Sequence, residues 1–180
     1  MIFAINGRNG NNLWEFKEIE VETNSPIVMD LYTINIVRDL DGDEIPEILA
    51  VHLEEREESK AGHIKVISAK SGKVIRTIPT PFREEVFVPL QVIVKEDGTE
   101  VLLITTGGQN TGGGVYSIRL MSLMQFTSDK EFTALFRSPH HSGVMVPAVL
   151  SDITGDGVTD VIVSAFNSTI YAYDGRNYSC

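Results

Sequence analysis

The sequence predicts an all-β chain, and within that class a partial β-propeller built from four-stranded antiparallel blades of about 50–60 residues. Three observations carry this. Short apolar or alternating runs bounded by Gly, Asn, Asp and Ser recur from end to end, and no sustained helical period appears. The second strand of successive units begins at Glu47, Glu100 and Asp160, at intervals of 53 and then 60 residues. The runs Val101-Leu-Leu-Ile104 and Val161-Ile-Val163 are apolar at every position, as expected of strands covered on both faces.

Taken in order, residues 1–16 read as the outer half of a blade. Ile2-Phe-Ala-Ile5 and Leu13-Trp-Glu-Phe16 flank a Gly- and Asn-rich turn, and Trp14 is expected to pack between blades. Residues 27–78 read as a full blade. Its inner strands are Thr33–Val37 and Glu47–Leu53, and its outer hairpin is Ile64-Lys-Val-Ile67 and Val74-Ile75 around Ser71-Gly-Lys73. The charge run Glu54–Glu58 is a solvated loop, and His52 and His63 are packing residues on strands. Residues 86–137 read as a second full blade, with strands Phe87–Val94, Glu100–Thr105, Val115–Leu120 and Phe132–Phe136. Residues 144–178 give an incomplete blade: Met145–Ser151, Asp160–Ala165 and Ile170–Tyr173. Here Tyr171-Ala-Tyr-Asp-Gly-Arg-Asn177 repeats Phe3-Ala-Ile-Asn-Gly-Arg-Asn9 in register. A closed ring takes about four or more blades, so the chain is expected to be a fragment of a larger propeller.

Composition narrows the function classes. The 180 residues are 42% hydrophobic and 22% charged, which suits a packed core rather than disorder. Net charge is −10, so the basic footprint that nucleic acid requires is missing. No apolar run reaches the roughly 18 residues of a membrane span. Met1–Gly7 does not read as a signal peptide, since a basic leader and a long apolar run are both lacking. The single cysteine, Cys180, does not assign a redox compartment. Asn167-Ser-Thr and Asn177-Tyr-Ser are sequons, making Asn167 and Asn177 candidate glycosylation sites.

The chemistry concentrates in two loops. Asp39-Leu-Asp-Gly-Asp-Glu-Ile-Pro-Glu47 and Asp152-Ile-Thr-Gly-Asp-Gly-Val-Thr-Asp160 each run straight into an apolar strand. Alternate carboxylates on a tight, Gly-bent loop turn their oxygens inward, which suits a hard divalent cation needing six to eight oxygens. The candidate ligands are Asp39, Asp41, Asp43, the carbonyl of Ile45 and Glu47 in the first loop. In the second they are Asp152, Thr154, Asp156, the carbonyl of Val158 and Asp160. Position twelve of each loop is Ala50 or Val163 rather than Glu, and the flanks are strands, so neither is an EF-hand. The His and Cys ligands of a zinc site are absent from them. Uncompensated, such clustered carboxylates repel, so calcium is the expected cofactor and a scaffolding role the expected use. At Glu96-Asp-Gly-Thr99 the loop has shrunk to an ordinary turn, and no metal is expected.

These loops resemble the calcium loops of FG-GAP repeats, the blades of integrin alpha-type propellers. The segment Met145–Phe166 looks most like single-pass membrane proteins whose ectodomains are FG-GAP-type propellers. The resemblance implies an extracellular or lumenal domain with its membrane tether outside this chain. The Phe-Gly and Gly-Ala-Pro signatures of the family are not present.

Other candidates read more simply. His140-His141 belongs to a surface or channel-mouth loop. Gly107–Gly114 is not a phosphate loop, since no Gly-Lys-Ser/Thr follows, and no nucleophile elbow appears. The expected function is a calcium-stabilised, non-catalytic interaction module whose partner is a protein or a glycan. The alternative is part of a propeller enzyme, either a quinoprotein-like oxidoreductase or a polysaccharide-degrading enzyme. The spacing Ala4-x-x-Gly-x-x-Gly-x-x-x-Trp14 has some quinoprotein character.

Overall fold

The structure is a computed structural model that describes residues 1–17, 28–56, 59–138 and 143–180. His140, His141 and the end of the Glu54–Glu58 charge run lie outside the described residues. The chain is all-β, with 13 strands in four antiparallel sheets and three short 3-10 helices among the described residues. Sheet 1 pairs β1 (Ile2–Ile5) with β2 (Asn12–Phe16). Sheet 2 holds β3 (Val28–Val37), β4 (Glu47–Arg56), β5 (Ser59–Ser68) and β6 (Val74–Pro79) in sequential order. Sheet 3 repeats that order with β7 (Gln91–Val94), β8 (Glu100–Thr105), β9 (Gly113–Arg119) and β10 (Thr133–Ser138). Sheet 4 holds β11 (Val149–Ser151), β12 (Asp160–Ala165) and β13 (Thr169–Tyr173).

The central strands bury both faces, and the sheets pack face to face in chain order. On β4, Leu49 and Val51 face sheet 3, where Leu102, Ile104 and Ile118 meet them. Their neighbours Ile48 and Ala50 face sheet 1 and touch Ile2, Trp14 and Phe16. On β8 the same alternation sends Leu103 the other way, into a cluster with Val161, Val163 and Tyr173 of sheet 4. A two-residue side-chain period with apolar residues at every position thus feeds two cores at once. The outer faces of the two end sheets stay open. Phe3, Ile5 and Leu13 are exposed on sheet 1, and Val149 and Ile170 on sheet 4.

Polar contacts also join the sheets. Trp14 Nε1 donates to the Ala69 carbonyl at 2.8 Å. Gln91 exchanges two 2.9 Å hydrogen bonds with the backbone of Ala148. The glycine-rich loop 107–114 closes through backbone approach, since a Cβ on Gly113 would lie 2.1 Å from the Thr106 carbonyl oxygen. Its base meets the entry to sheet 4, where Val144 N donates to Thr106 O at 2.9 Å.

The three outer hairpin turns share one hydrogen-bond pattern. Asn6 N, Ser68 N and Asp174 N each donate five residues onward, to Asn11, Lys73 and Ser179. Gly10 N, Gly72 N and Tyr178 N each donate back to the same three residues at 2.8 Å. The turn needs a left-handed residue at its fifth position. Gly10 and Gly72 supply φ of 75° and 70°, while Tyr178 accepts 60° despite its Cβ. The register match between residues 3–9 and 171–177 is therefore realised as the same turn.

Glu54–Arg56, expected as part of a solvated loop, instead continue β4 and pair with Ser59–Ala61 of β5. Strand boundaries also differ from expectation where proline intervenes. The first strand of sheet 3 starts at Gln91 rather than Phe87, and that of sheet 4 at Val149 rather than Met145. Pro89 and Pro147 cannot donate to a ladder, so pairing begins after them. A 3-10 helix over Leu120–Gln125 was not anticipated. It buries Leu120 and Leu123 against the core between sheets 2 and 3.

At the end of the strands remote from the acidic loops, a 3-10 turn, Pro81–Arg83, carries Phe82 and Arg83 at φ of 54° and 58°. The Arg137 guanidinium sits 3.8 Å over the Phe82 ring. Beside it, Glu84 accepts hydrogen bonds from Thr106 Oγ1 at 2.5 Å and from the buried Tyr116 hydroxyl at 3.3 Å. Burial is the largest influence on Glu84 and raises its pKa above the ordinary carboxylate value, against the opposing pull of Thr106, Arg137 and Tyr116.

Two outcomes follow from these contacts. Gly72→Ala puts a Cβ 2.6 Å from Trp14 Cε3 at a left-handed φ. It should destabilise the chain by about 1–3 kcal/mol in urea unfolding, as overpacking does. Glu84 holds its proton to higher pH folded than unfolded. Its favourable contribution is therefore complete below the unfolded pKa of about 4.3 and is lost as pH rises through the folded value. Glu84→Gln should show a smaller fall in urea midpoint than the wild type between about pH 4 and pH 7. Parallel profiles would contradict this.

Candidate metal centre

The two acidic loops occupy the same joint in two sheets. The first connects β3 to β4, and the second connects β11 to β12. Their backbones are held alike. Gly42 N and Gly155 N each donate to Oδ1 of the leading aspartate, Asp39 or Asp152, at 2.7 Å. Glu44 N and Gly157 N each donate to Oδ2 of the same aspartate at 2.9 Å. Ile45 N and Val158 N each donate to the fifth residue, Asp43 or Asp156, at 2.9 Å. Positive φ falls at Gly42 and Gly155, and again at Glu44 and Gly157. A side-chain carboxylate caps successive amides here, which is why the loop can be tight and still satisfy its backbone.

The ninth residue anchors each loop to the core. Glu47 and Asp160 are both 1% exposed. Each accepts the amide of the residue after the leading aspartate: Leu40 N bonds Glu47 Oε2, and Ile153 N bonds Asp160 Oδ2 at 3.0 Å. In both cases a buried carboxylate at the head of a central strand reaches back under the loop.

In the first loop the carboxylates converge. One oxygen each from Asp39, Asp41, Asp43 and Glu47 lies within 4.8 Å of the others, so this group could bind a metal ion. Burial raises the Glu47 pKa above its ordinary value; the Leu40 amide opposes this, and the charges of Asp41, Asp39 and Asp43 add to the rise. The Asp39 pKa is lowered, chiefly by the amides of Gly42 and Glu44. Among the described residues Lys70 attends the cluster, with Nζ 3.2 Å from Asp43 Oδ2. Four carboxylates face this ammonium, and carboxylate oxygens are ligands that hard cations take.

In the second loop, among the described residues, Asp152, Asp156 and Asp160 do not form such a group. Arg176 Nη1 lies 2.5 Å from Asp156 Oδ2. The sequence reading missed both basic residues, Lys70 and Arg176. The signal was present: each stands two residues after the first residue of the repeated turn, Ser68 or Asp174.

The remaining candidates fall elsewhere. Residues 95–99 form a tight turn closed by a 2.9 Å bond from Lys95 N to Thr99 O. The rings of His52 and His63 pack side by side on neighbouring strands, 5.8 Å apart. Asn167 and Asn177 are both exposed in turns. Asn167 Nδ2 donates to the Tyr171 hydroxyl at 2.7 Å, and Asn177 Oδ1 accepts from Ser179 N at 2.8 Å. Among the described residues no helix is long and apolar enough to cross a membrane. Comparison with known proteins gives no match to a family model, a curated protein or a solved structure.

The geometry separates two substitutions. Glu47→Gln keeps an acceptor for the Leu40 amide while removing a buried charge from the cluster. The metal-free chain should gain stability in urea, and the gain on adding a divalent cation should shrink. Asp41→Ala removes an exposed ligand, so the metal-free midpoint should stay within about 0.5 kcal/mol. Calorimetric titration should show its cation affinity reduced at least tenfold, consistent with the loss of about 1.4 kcal/mol or more for one charged ligand.

Proposed function

We propose that this chain is part of a calcium-stabilised β-propeller of the FG-GAP type, acting as a non-catalytic interaction module. The observation that carries the reading is the convergence of Asp39, Asp41, Asp43 and Glu47 at a strand joint that recurs in a second sheet. An active site needs one constellation, whereas a scaffold reuses its joints. The stacking of sheets in chain order and the shared outer turn support blades as the repeating unit. The open apolar faces of sheets 1 and 4 suit packing against further blades of a larger ring.

Calcium is favoured over magnesium by the donor set. Clustered carboxylates, with a further oxygen from the Ile45 carbonyl, suit six to eight loosely arranged oxygens better than a strict octahedron. Bound there, the ion would offset the mutual repulsion of four carboxylates and fix the entry to β4. Loops at the ends of the sheets then present the surface for a protein or glycan partner. Exposed Asn167 and Asn177 are compatible with glycosylation on the extracellular or lumenal side.

Thermal unfolding in calcium and in chelator tests this. At a calcium concentration about a hundredfold above Kd, the midpoint should rise by on the order of 5–10 °C. Magnesium at the same concentration should give a smaller rise. A midpoint unmoved by either ion would defeat the proposal.

A further inference from the structure

The two loops share a backbone but not a charge balance, and this points beyond the sequence expectation of two equivalent metal sites. We propose that the second loop carries its own cation: the Arg176 guanidinium does there what a metal ion does in the first loop. The chain then holds one metal ion rather than two. The metal half of this statement rests on the calcium reading of the first loop.

Three differences support it. The first is the donor set. Where the first loop has Asp41, the second has Thr154, a neutral side chain whose hydroxyl lies 3.4 Å from Asp152 Oδ1. Where the first has Glu44, the second has Gly157. The second difference is reach. Asp160 is one methylene shorter than Glu47, and both of its oxygens are already engaged, Oδ2 by Ile153 N at 3.0 Å and Oδ1 by Gly175 N at 3.2 Å. It is tied to the base of the loop and to the outer turn. Glu47, by contrast, reaches into the cluster.

The third difference is the basic residue itself. Lys70 and Arg176 stand at equivalent places, but an ammonium is a single point of charge and a guanidinium is a planar fork of donors. Arg176 Nη1 lies 2.5 Å from Asp156 Oδ2, and Nη2 donates to the Asp156 carbonyl at 3.4 Å. Nη2 also lies 3.5 Å from Glu96 Oε1, on the β7–β8 turn of the neighbouring sheet. The residue's own backbone is pinned on both sides. Its amide donates to Asp174 Oδ1 at 2.7 Å, and its carbonyl accepts from Lys95 Nζ at 3.1 Å. The guanidinium thus ties the acidic loop of sheet 4 to its own outer turn and to sheet 3. A metal ion bound through Asp156 would have to displace it.

Equilibrium dialysis of the whole chain with calcium, up to about 1 mM, reads the stoichiometry directly. One bound ion is expected in the wild type, none in Asp43→Asn, and one in Asp156→Asn. Two ions in the wild type would overturn the inference and leave the calcium reading standing. So would a single ion lost in Asp156→Asn and kept in Asp43→Asn. No bound ion in the wild type would instead overturn the calcium reading of the first loop. In that case a chelator arm decides the role of Arg176. Arg176→Gln should lower the melting midpoint in chelator and speed amide exchange at Gly155–Thr159. An unchanged midpoint with unchanged exchange would overturn the inference whatever the metal count.

Discussion

A buried carboxylate at the head of a central strand is the contact on which the rest depends. Glu47 and Asp160 sit where β4 and β12 enter the core, and each accepts an amide from the loop that precedes it. A charge in that position is costly unless it is hydrogen-bonded. The loop therefore has to fold over it, with its leading aspartate capping the remaining amides. The tightness of the loop, its left-handed residues and its acidic character all follow from closing a sheet at this joint. Convergence of further carboxylates in the first loop then makes of a structural solution a group that could bind a metal ion.

The strands that follow obey a second constraint. Because β4 and β8 are covered on both faces, a one-residue slip of register would exchange the residues offered to two cores at once. The polar contacts between sheets hold that register. Trp14 bonds the carbonyl of Ala69, Gln91 brackets Ala148, and Arg76 Nη2 reaches the Phe126 carbonyl at 2.7 Å. Each links side chain to backbone, so each fixes a position along the strand rather than merely adding apolar area. The acidic loops lie at one end of this stack and the Glu84–Tyr116–Arg137 group at the other. The molecule thus places the acidic cluster that could bind a metal ion at one end and a half-buried carboxylate at the other.

The sequence alone determined what depends on neighbours in the chain. All-β class, the order of strands and the turns at 6–11, 68–73 and 174–179 were legible because side-chain alternation, Gly and Asn placement and the 53- and 60-residue intervals are local signals. So was the pairing of residues 39–47 with 152–160, since an Asx-capped loop is built from its own side chains. Only the tertiary structure decided what those loops face. It brought Glu47 into reach of three aspartates and left Asp160 engaged by Gly175, and it set Arg176, 20 residues further along the chain, against Asp156. Such contacts depend on how the next hairpin folds back over the joint, and no spacing rule within the loop encodes them. The helix over Leu120–Gln125 escaped for the same reason: its leucines are fixed by the core between two sheets and not by a period of their own.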